Sequence, residues 1–354
     1  MFYYWFAIIL AVLGCFLHKN KVGSLISWGC IFYMMILTGF RGLSVGTDTI
    51  NYYKSFYIVE HSTDFVWEFL KVFIQSLNLD YHHFLILISI LTYGVFRYVI
   101  KKTLPSSLIP FAVLLFIVAG NQYFIQSFNT MRQIIATMFL LLVYYLISIR
   151  RFKTAFLFYI ITAGLHASSI IYLPFILCAY FVKFSQKTVN IILAFSIIYA
   201  FCMSNVNVSN LGYQLIMAIH FLDLEYYANY FDTDNVGFNI VGMVTLIPLR
   251  VLAASIVYKV LDGNYFSKIY FVGVVLLCIL TPVFYFTPRA LMGLIACELV
   301  VIPMAMNKKM YGSVVKPYYK YFFYFYMLFY GYMLTRGLVG DYKLPENLGL
   351  YNFY

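Results

Sequence analysis

Charge is scarce in this sequence. Only 10% of its 354 residues are Asp, Glu, Lys or Arg, whereas a soluble chain carries about 25%. There are 13 acidic residues, and only one of them, Glu298, falls inside an apolar run. These shortages exclude a water-soluble globular domain. Short segments of alternating polarity are also missing, which excludes a membrane β-barrel. The six cysteines (Cys15, Cys30, Cys178, Cys202, Cys278 and Cys297) form no C-x-x-C pair and all lie in apolar runs. Disulfide or metal-ligand roles are therefore not expected. No Walker loop, metal-binding acidic pair or Ser-His-Asp spacing occurs, so no cofactor is expected and the chemistry reads as metal-independent. No internal repeat is evident, which leaves an inverted-repeat transporter without support. The net charge is +11, but the basic residues are spread along loops, so nucleic acid is not an expected partner.

Apolar length is what the sequence has in abundance. Hydrophobic residues make up 63% and the mean hydropathy is +0.85. A helix needs about 20 residues to cross a bilayer core. Runs at roughly 2–17, 22–39, 83–100, 107–121, 126–149, 154–165, 167–182, 188–204, 238–260, 268–286, 289–306 and 319–335 approach or reach that length. The expectation is an all-α polytopic membrane protein of about 10–12 transmembrane helices, a single integral domain over residues 1–354. The short runs 154–165 and 167–182 read as a tilted hairpin or a partial re-entrant element. Val12-Leu13-Gly14-Cys15 resembles a lipoprotein box, but Lys19 and Lys21 follow the apolar stretch instead of preceding it, the reverse of a signal peptide.

The positive-inside rule orients this layout. Sixteen of the 24 basic residues fall in alternate loops that would then be cytoplasmic, while eleven of the 13 acidic residues fall on the other side. Both termini are expected outside. Two outer segments are large. In residues 40–82, Phe65, Phe69, Val72 and Phe73 repeat at helical spacing, which predicts an amphipathic helix over 64–77 lying on the membrane. Residues 205–237 carry Asn205, Asn207, Asn210, Asp223, Glu225, Asp232 and Asp234 with Tyr226, Tyr227 and Tyr230. That chemistry suits sugar contact as well as an ordinary wet loop.

Ionisable residues in apolar surroundings are rare and mark function. The polar stretch Phe40 to Tyr57 carries Arg41 and Asp48 beside Gly42 and Gly46. Arg132 lies near the outer end of its run, Arg289 opens a run after Thr287-Pro288, and His166 sits between the two short runs. Arg250 is mid-run, either a ligand-binding residue or a partner for Glu298. Arginines keep their charge in a low-dielectric site and grip phosphate oxygens through two N–H groups, so the set suits a pyrophosphate-bearing ligand. Arg41, Arg132, Arg289 and Arg250 are the candidate diphosphate-binding residues. A hydroxyl that attacks such a ligand is a weak nucleophile and gains from a base. His166, an imidazole of ordinary pKa around 6.5, and Asp48 are the catalytic candidates.

Arg41…Val45-Gly46-Thr47-Asp48-Thr49…Tyr52, then Trp67-Glu68, Asn129…Arg132-Gln133…Ala136, Arg150-Arg151, His166-x-Ser168 and Pro288-Arg289 together resemble the EpsG/Wzy family of polysaccharide polymerases. The resemblance implies a bacterial inner-membrane protein, similar in general design to GT-C glycosyltransferases and O-antigen ligases, with its active site facing the periplasm. It implies polymerisation of undecaprenyl-diphosphate-linked oligosaccharide repeats into O-antigen or a related exopolysaccharide. The implied partners are that lipid-linked oligosaccharide, the lipid bilayer, a polysaccharide chain-length regulator and a flippase. Two other functions stay open at this point. A lipid-linked oligosaccharide flippase would spread its polar residues through the bilayer, and an O-antigen ligase would share the donor site but not the acceptor surface.

Overall fold

A bilayer core holds no water to satisfy peptide groups, so an apolar run there closes its hydrogen bonds within a helix. The computed structural model describes residues 2–58, 63–119, 123–204, 240–282, 287–307 and 317–336, and among these there is no strand. The protein is all-α and membrane-embedded. Among the described residues, the helices Lys21–Gly39, Tyr81–Thr103, Met131–Ser148 and Gln186–Met203 are long and apolar enough to cross a bilayer, and Ser106–Val118 with Tyr123–Asn129 forms an apolar pair bent by 50°, the shape of a broken span or a re-entrant loop. Shorter apolar helices such as Phe2–Phe16 and Tyr265–Leu280 occupy other expected runs. The sugar-contact segment 205–237 lies outside the described residues.

Packing groups the chain into two compact units, Met1–Pro174 with Ala296–Tyr354, and Phe175–Ile295. The first unit is built on α1 (Phe2–Phe16), α2 (Lys21–Gly39), α3 (Thr49–Phe56), α4 (Phe65–Ser76), α5 (Tyr81–Thr103), α6 (Ile109–Val118), α7 (Tyr123–Asn129), α8 (Met131–Ser148) and α9 (Phe152–Leu165). Contacts along α2 and α5 run in opposite directions. Thr38 meets Ser89 through their hydroxyls at 2.7 Å, and the Arg97 guanidinium lies 5.2 Å from the Trp28 ring. α8 and α9 are also antiparallel, with Phe139 against Phe158, and the chain reverses between them at Arg150, whose φ is 62°. One end of the unit therefore collects Lys21, Lys101, Lys102, Arg150, Arg151 and Lys153. The opposite end carries Asp48, Asp64, Glu68 and Asp80. Asp80 caps α5 there by accepting from the His82 and His83 backbone N–H groups.

α4 is the amphipathic helix that the spacing predicts. Trp67, Lys71 and Ile74 point into the unit, while Phe65, Phe69, Val72, Phe73 and Leu77 are exposed. The buried face also finishes α3. Lys71 Nζ donates to Ile58 O at 3.2 Å and Gln75 Nε2 donates to Phe56 O, which satisfies carbonyls that a helix end otherwise leaves open. The runs at 154–165 and 167–182 form a folded-back element. α9 ends at Leu165, a 3₁₀ turn spans Ala167–Tyr172, and Tyr159 Oη donates back to Ser169 O at 3.0 Å.

Two expected spans are not continuous. The run 126–149 breaks at Thr130 (φ −114°, ψ 59°), whose hydroxyl bonds back to the Gln126 side chain at 3.0 Å, so α7 pairs with α6 and α8 starts afresh at Met131. The run 289–306 is divided into Thr287–Ala290, Met292–Ile295 and Glu298–Ala305. Bonds of the i,i+3 type, from Leu299 N–H to Ala296 O and Val300 N–H to Cys297 O, tighten the chain ahead of the last piece. In the second unit the helices Gln186–Ser204, Ile240–Val260 and Tyr265–Leu280 pack on one another, and Ser255 Oγ lies 2.8 Å from Asn190 Oδ1.

Candidate functional site

The break between α7 and α8 is what receives the glycine-rich loop. Arg41, directly after α2, is 1% exposed. Its Nη1 donates to Ser127 O at 3.1 Å, its Nη2 lies 2.9 Å from Met131 Sδ, and its guanidinium stands 5.4 Å from the Phe128 ring centroid. Gly46 adopts φ 91°, and a Cβ there would sit 2.7 Å from Phe128 O. Only glycine takes that backbone conformation without strain at so close an approach. The Thr47 N–H then donates to Asn129 Oδ1 at 3.0 Å. Val45-Gly46-Thr47-Asp48 and Asn129…Arg132, 82 residues apart, are thus halves of one local structure. Asp48 is half-buried at the start of α3, and its side chain makes no capping bond.

Arg132 is the second residue of α8, where the helix dipole already favours anions. Its Nη1 pairs with Asp64 Oδ2 at 2.8 Å, and its guanidinium lies 5.8 Å from the Tyr52 ring centroid. The Arg132 side chain is 40% exposed, the Asp64 side chain 8%. Burial pushes the Tyr52 phenol above its ordinary value, with the Arg132 guanidinium pulling the other way, so Tyr52 is a neutral hydroxyl at pH 7. The second Asp64 oxygen, Oδ1, accepts from the Ala167 N–H at 2.7 Å.

His166 ends α9 in an extended conformation (φ −156°, ψ 103°) and is half-buried. Its backbone is held on both sides, with N–H donating to Thr162 O at 3.1 Å and C=O accepting from Ser169 N–H at 2.9 Å. α4 reaches this turn because Gly164 has no side chain. A Cβ there would lie 2.5 Å from Val66 Cγ2 and 2.6 Å from Phe65 Cζ. Behind the site, Tyr52 meets Trp67 at 5.7 Å between ring centroids, and Trp67 meets Phe84 edge-on at 4.9 Å. This aromatic wall fixes α3 and α4 on α5.

Arg132 and the His166 turn are therefore brought together through Asp64, and the loop bearing Asp48 docks one turn away on Asn129. Arg41 is engaged beneath the loop instead of lining the accessible side. Arg250 is 3% exposed within the helix Ile240–Val260, and Arg289 is exposed in the short helix Thr287–Ala290; both belong to the second unit. Glu298 is fully buried in the first unit and accepts from Tyr123 Oη and Tyr326 Oη, each at 2.9 Å. Asp64 is the site residue that sequence reasoning missed. In sequence it reads only as the start of an amphipathic helix, and its partner Arg132 is 68 residues away. A half-exposed arginine side chain at a helix N-terminus, with a histidine-bearing turn tied to it through Asp64, can hold an anion and receive a proton.

The family model described as the EpsG family matches residues 25–345. No curated protein and no solved structure matches the chain.

Proposed function

The chain belongs to the EpsG family, whose members are Wzy-like polysaccharide polymerases, and we propose on that premise that it joins undecaprenyl-diphosphate-linked oligosaccharide repeats at the outer face of the bacterial cytoplasmic membrane. The observation that carries the reading is Arg132, whose side chain is 40% exposed and whose guanidinium is anchored through Nη1 by Asp64. Asp64 and the Tyr52 phenol hold the guanidinium from the protein side, and an arginine fork suits two phosphate oxygens. The end of the unit that holds this site lies opposite the cluster of Lys21, Lys101, Lys102, Arg150, Arg151 and Lys153, which supports an outer location.

The donor's diphosphate sits against Arg132. The acceptor hydroxyl, on the non-reducing end of the next lipid-linked repeat, attacks the anomeric carbon of the growing chain. A new carbon–oxygen bond forms, the bond from that carbon to the diphosphate oxygen breaks, and its electron pair leaves with the lipid diphosphate. The hydroxyl proton passes to the His166 imidazole. Asp48, on the docked loop, orients the acceptor. A diphosphate is already a good leaving group, so the protein supplies mainly alignment and charge neutralisation. The resulting product is O-antigen or a related surface polysaccharide, made by a GT-C-like membrane glycosyltransferase.

A positioned base contributes about 10²–10⁴-fold. His166→Gln keeps the size and hydrogen bonding of the side chain but takes up no proton. With purified protein and lipid-linked repeats, this variant is expected to lose turnover while still retaining the donor. Parental rates across pH 6 to 8 would remove His166 as the base and pass the test to Asp48→Asn.

A further inference from the structure

We propose that Asp64 is a positioning residue that couples the donor-binding cation to the catalytic turn, an inference that rests on the placement of the donor diphosphate at Arg132. One carboxylate spans both. Oδ2 takes Arg132 Nη1 at 2.8 Å and Oδ1 takes the Ala167 N–H, the residue after His166, at 2.7 Å. The separation between the guanidinium and the His166 turn is thereby fixed by a single planar group. Asp64 is itself held in place, because the next two residues of α4 seat on Gly164 of α9. Any shift of α4 would move the carboxylate, Arg132 and the turn together.

In the competing arrangement the ligand displaces the carboxylate from the arginine. Burial decides against it. The Asp64 side chain is 8% exposed while that of Arg132 is 40% exposed. Displacement would strand a desolvated carboxylate, which is strongly unfavourable, whereas a phosphate reaches the exposed edge of Arg132 with the ion pair intact. The ion pair, together with the Tyr52 phenol, fixes the direction of the guanidinium. Misplacement of a reacting group by about 1 Å costs on the order of 10²-fold in rate.

Asp64→Asn is the sharpest variant. Its Oδ1 still accepts from Ala167, but an amide replaces the charge facing Arg132. Turnover in a purified polymerisation assay is expected to fall about 10²-fold, with the KM for the lipid-linked donor changed far less, because Arg132 keeps its charge. The discriminating readout is a double variant. In an Arg132→Lys background, where the fork is already absent, adding Asp64→Asn should lower turnover by less than about threefold, since neighbours acting as a unit are non-additive. Parental turnover in Asp64→Asn, or a double variant showing the product of the two single losses, would overturn the coupling. If Asp64→Asn does not accumulate in membranes, Asp64→Glu carries the test. It keeps the charge but moves the carboxylate by one methylene, so turnover should drop about tenfold, and parental turnover would refute the proposal. Arg132→Ala separates the two levels of the account. A fully active Arg132→Ala removes the diphosphate from Arg132, whereas an inactive Arg132→Ala beside a fully active Asp64→Asn removes only the coupling.

Discussion

Gly46→Ala is the perturbation whose consequence follows most completely from the geometry. The residue sits at φ 91°, and a methyl group there meets Phe128 O at 2.7 Å, Thr49 Oγ1 at 3.0 Å and Asn129 Oδ1 at 3.1 Å. Holding a non-glycine residue at such a φ costs about 1–3 kcal/mol. The 2.7 Å contact is with backbone of the α7 end, which Arg41 pins through Ser127, so the loop is the part that moves. Lifting it breaks the bond from Thr47 N–H to Asn129 Oδ1, worth about 0.5–1.5 kcal/mol net. The strain weighs only on the docked loop, so the bias against docking is about 1–3 kcal/mol, or roughly 5- to 150-fold in the docked population, and the lost bond is what undocking gives up. Because α2 and α3 keep their own packing, the loss should appear in polymerisation rate far more than in the unfolding midpoint. The assay is ladder formation from lipid-linked repeats with purified protein, beside thermal unfolding in detergent. Gly94→Ala is the matched control. Its Cβ would meet nothing within 4 Å, and replacing a helical glycine by alanine usually stabilises. A Gly46→Ala protein with parental polymerisation would refute the docking of the loop on Asn129 as a requirement of the site.

Other perturbations test neighbouring contacts. Gly164→Ala puts a methyl group within 2.5 Å of Val66 Cγ2 and should separate α4 from α9, with activity lost at least tenfold while the protein still inserts, as measured by ladder assay and membrane fractionation. Tyr123→Phe removes a donor from the buried Glu298 carboxylate, so the unfolding midpoint should fall by the equivalent of about 1–3 kcal/mol; an unchanged midpoint would show the bond to be dispensable. Asp80 gives a pH dependence. Slight desolvation raises its carboxyl pKa, but the His83 imidazole and backbone N–H outweigh this and hold it below the ordinary value. A depressed folded value means stability that is present above the ordinary carboxyl range and lost as pH falls through the folded value. The difference in unfolding midpoint between the parent and Asp80→Asn should therefore be present at pH 7 and close in acid.

Much of the first unit was legible because apolar length and charge placement obey the same physics in sequence and in space. The amphipathic helix declared itself through Phe65, Phe69, Val72 and Phe73, which are its exposed face. The hairpin around His166 declared itself through two runs too short to be ordinary spans. What stayed hidden depended on distant partners. Gln126-Ser127-Phe128-Asn129-Thr130 is a polar interruption within the run 126–149, but hydropathy averages over it, so the turn at Thr130 that starts α8 at Met131 did not declare itself. Arg41 reads as a loop cation, and only the α7 carbonyl at Ser127 reveals that it is buried. Asp64 looks like a helix start, and its bonds to Arg132 and Ala167 span 68 and 103 residues. The break of the run 289–306 into three short helices is likewise invisible to hydropathy, which averages over it.

The central claim is that Arg132 holds the diphosphate of a lipid-linked donor for polymerisation. Its most direct test is a ladder assay with purified, reconstituted protein and undecaprenyl-diphosphate-linked repeats, comparing the parent, Arg132→Lys and Arg132→Ala. Loss of a hydrogen-bonded contact to a charged group costs about 1.5–3 kcal/mol. The parent is expected to give a ladder, the lysine variant short products at a low rate, and the alanine variant only unextended repeats although it folds and inserts. Parental ladder lengths from Arg132→Ala would contradict the account.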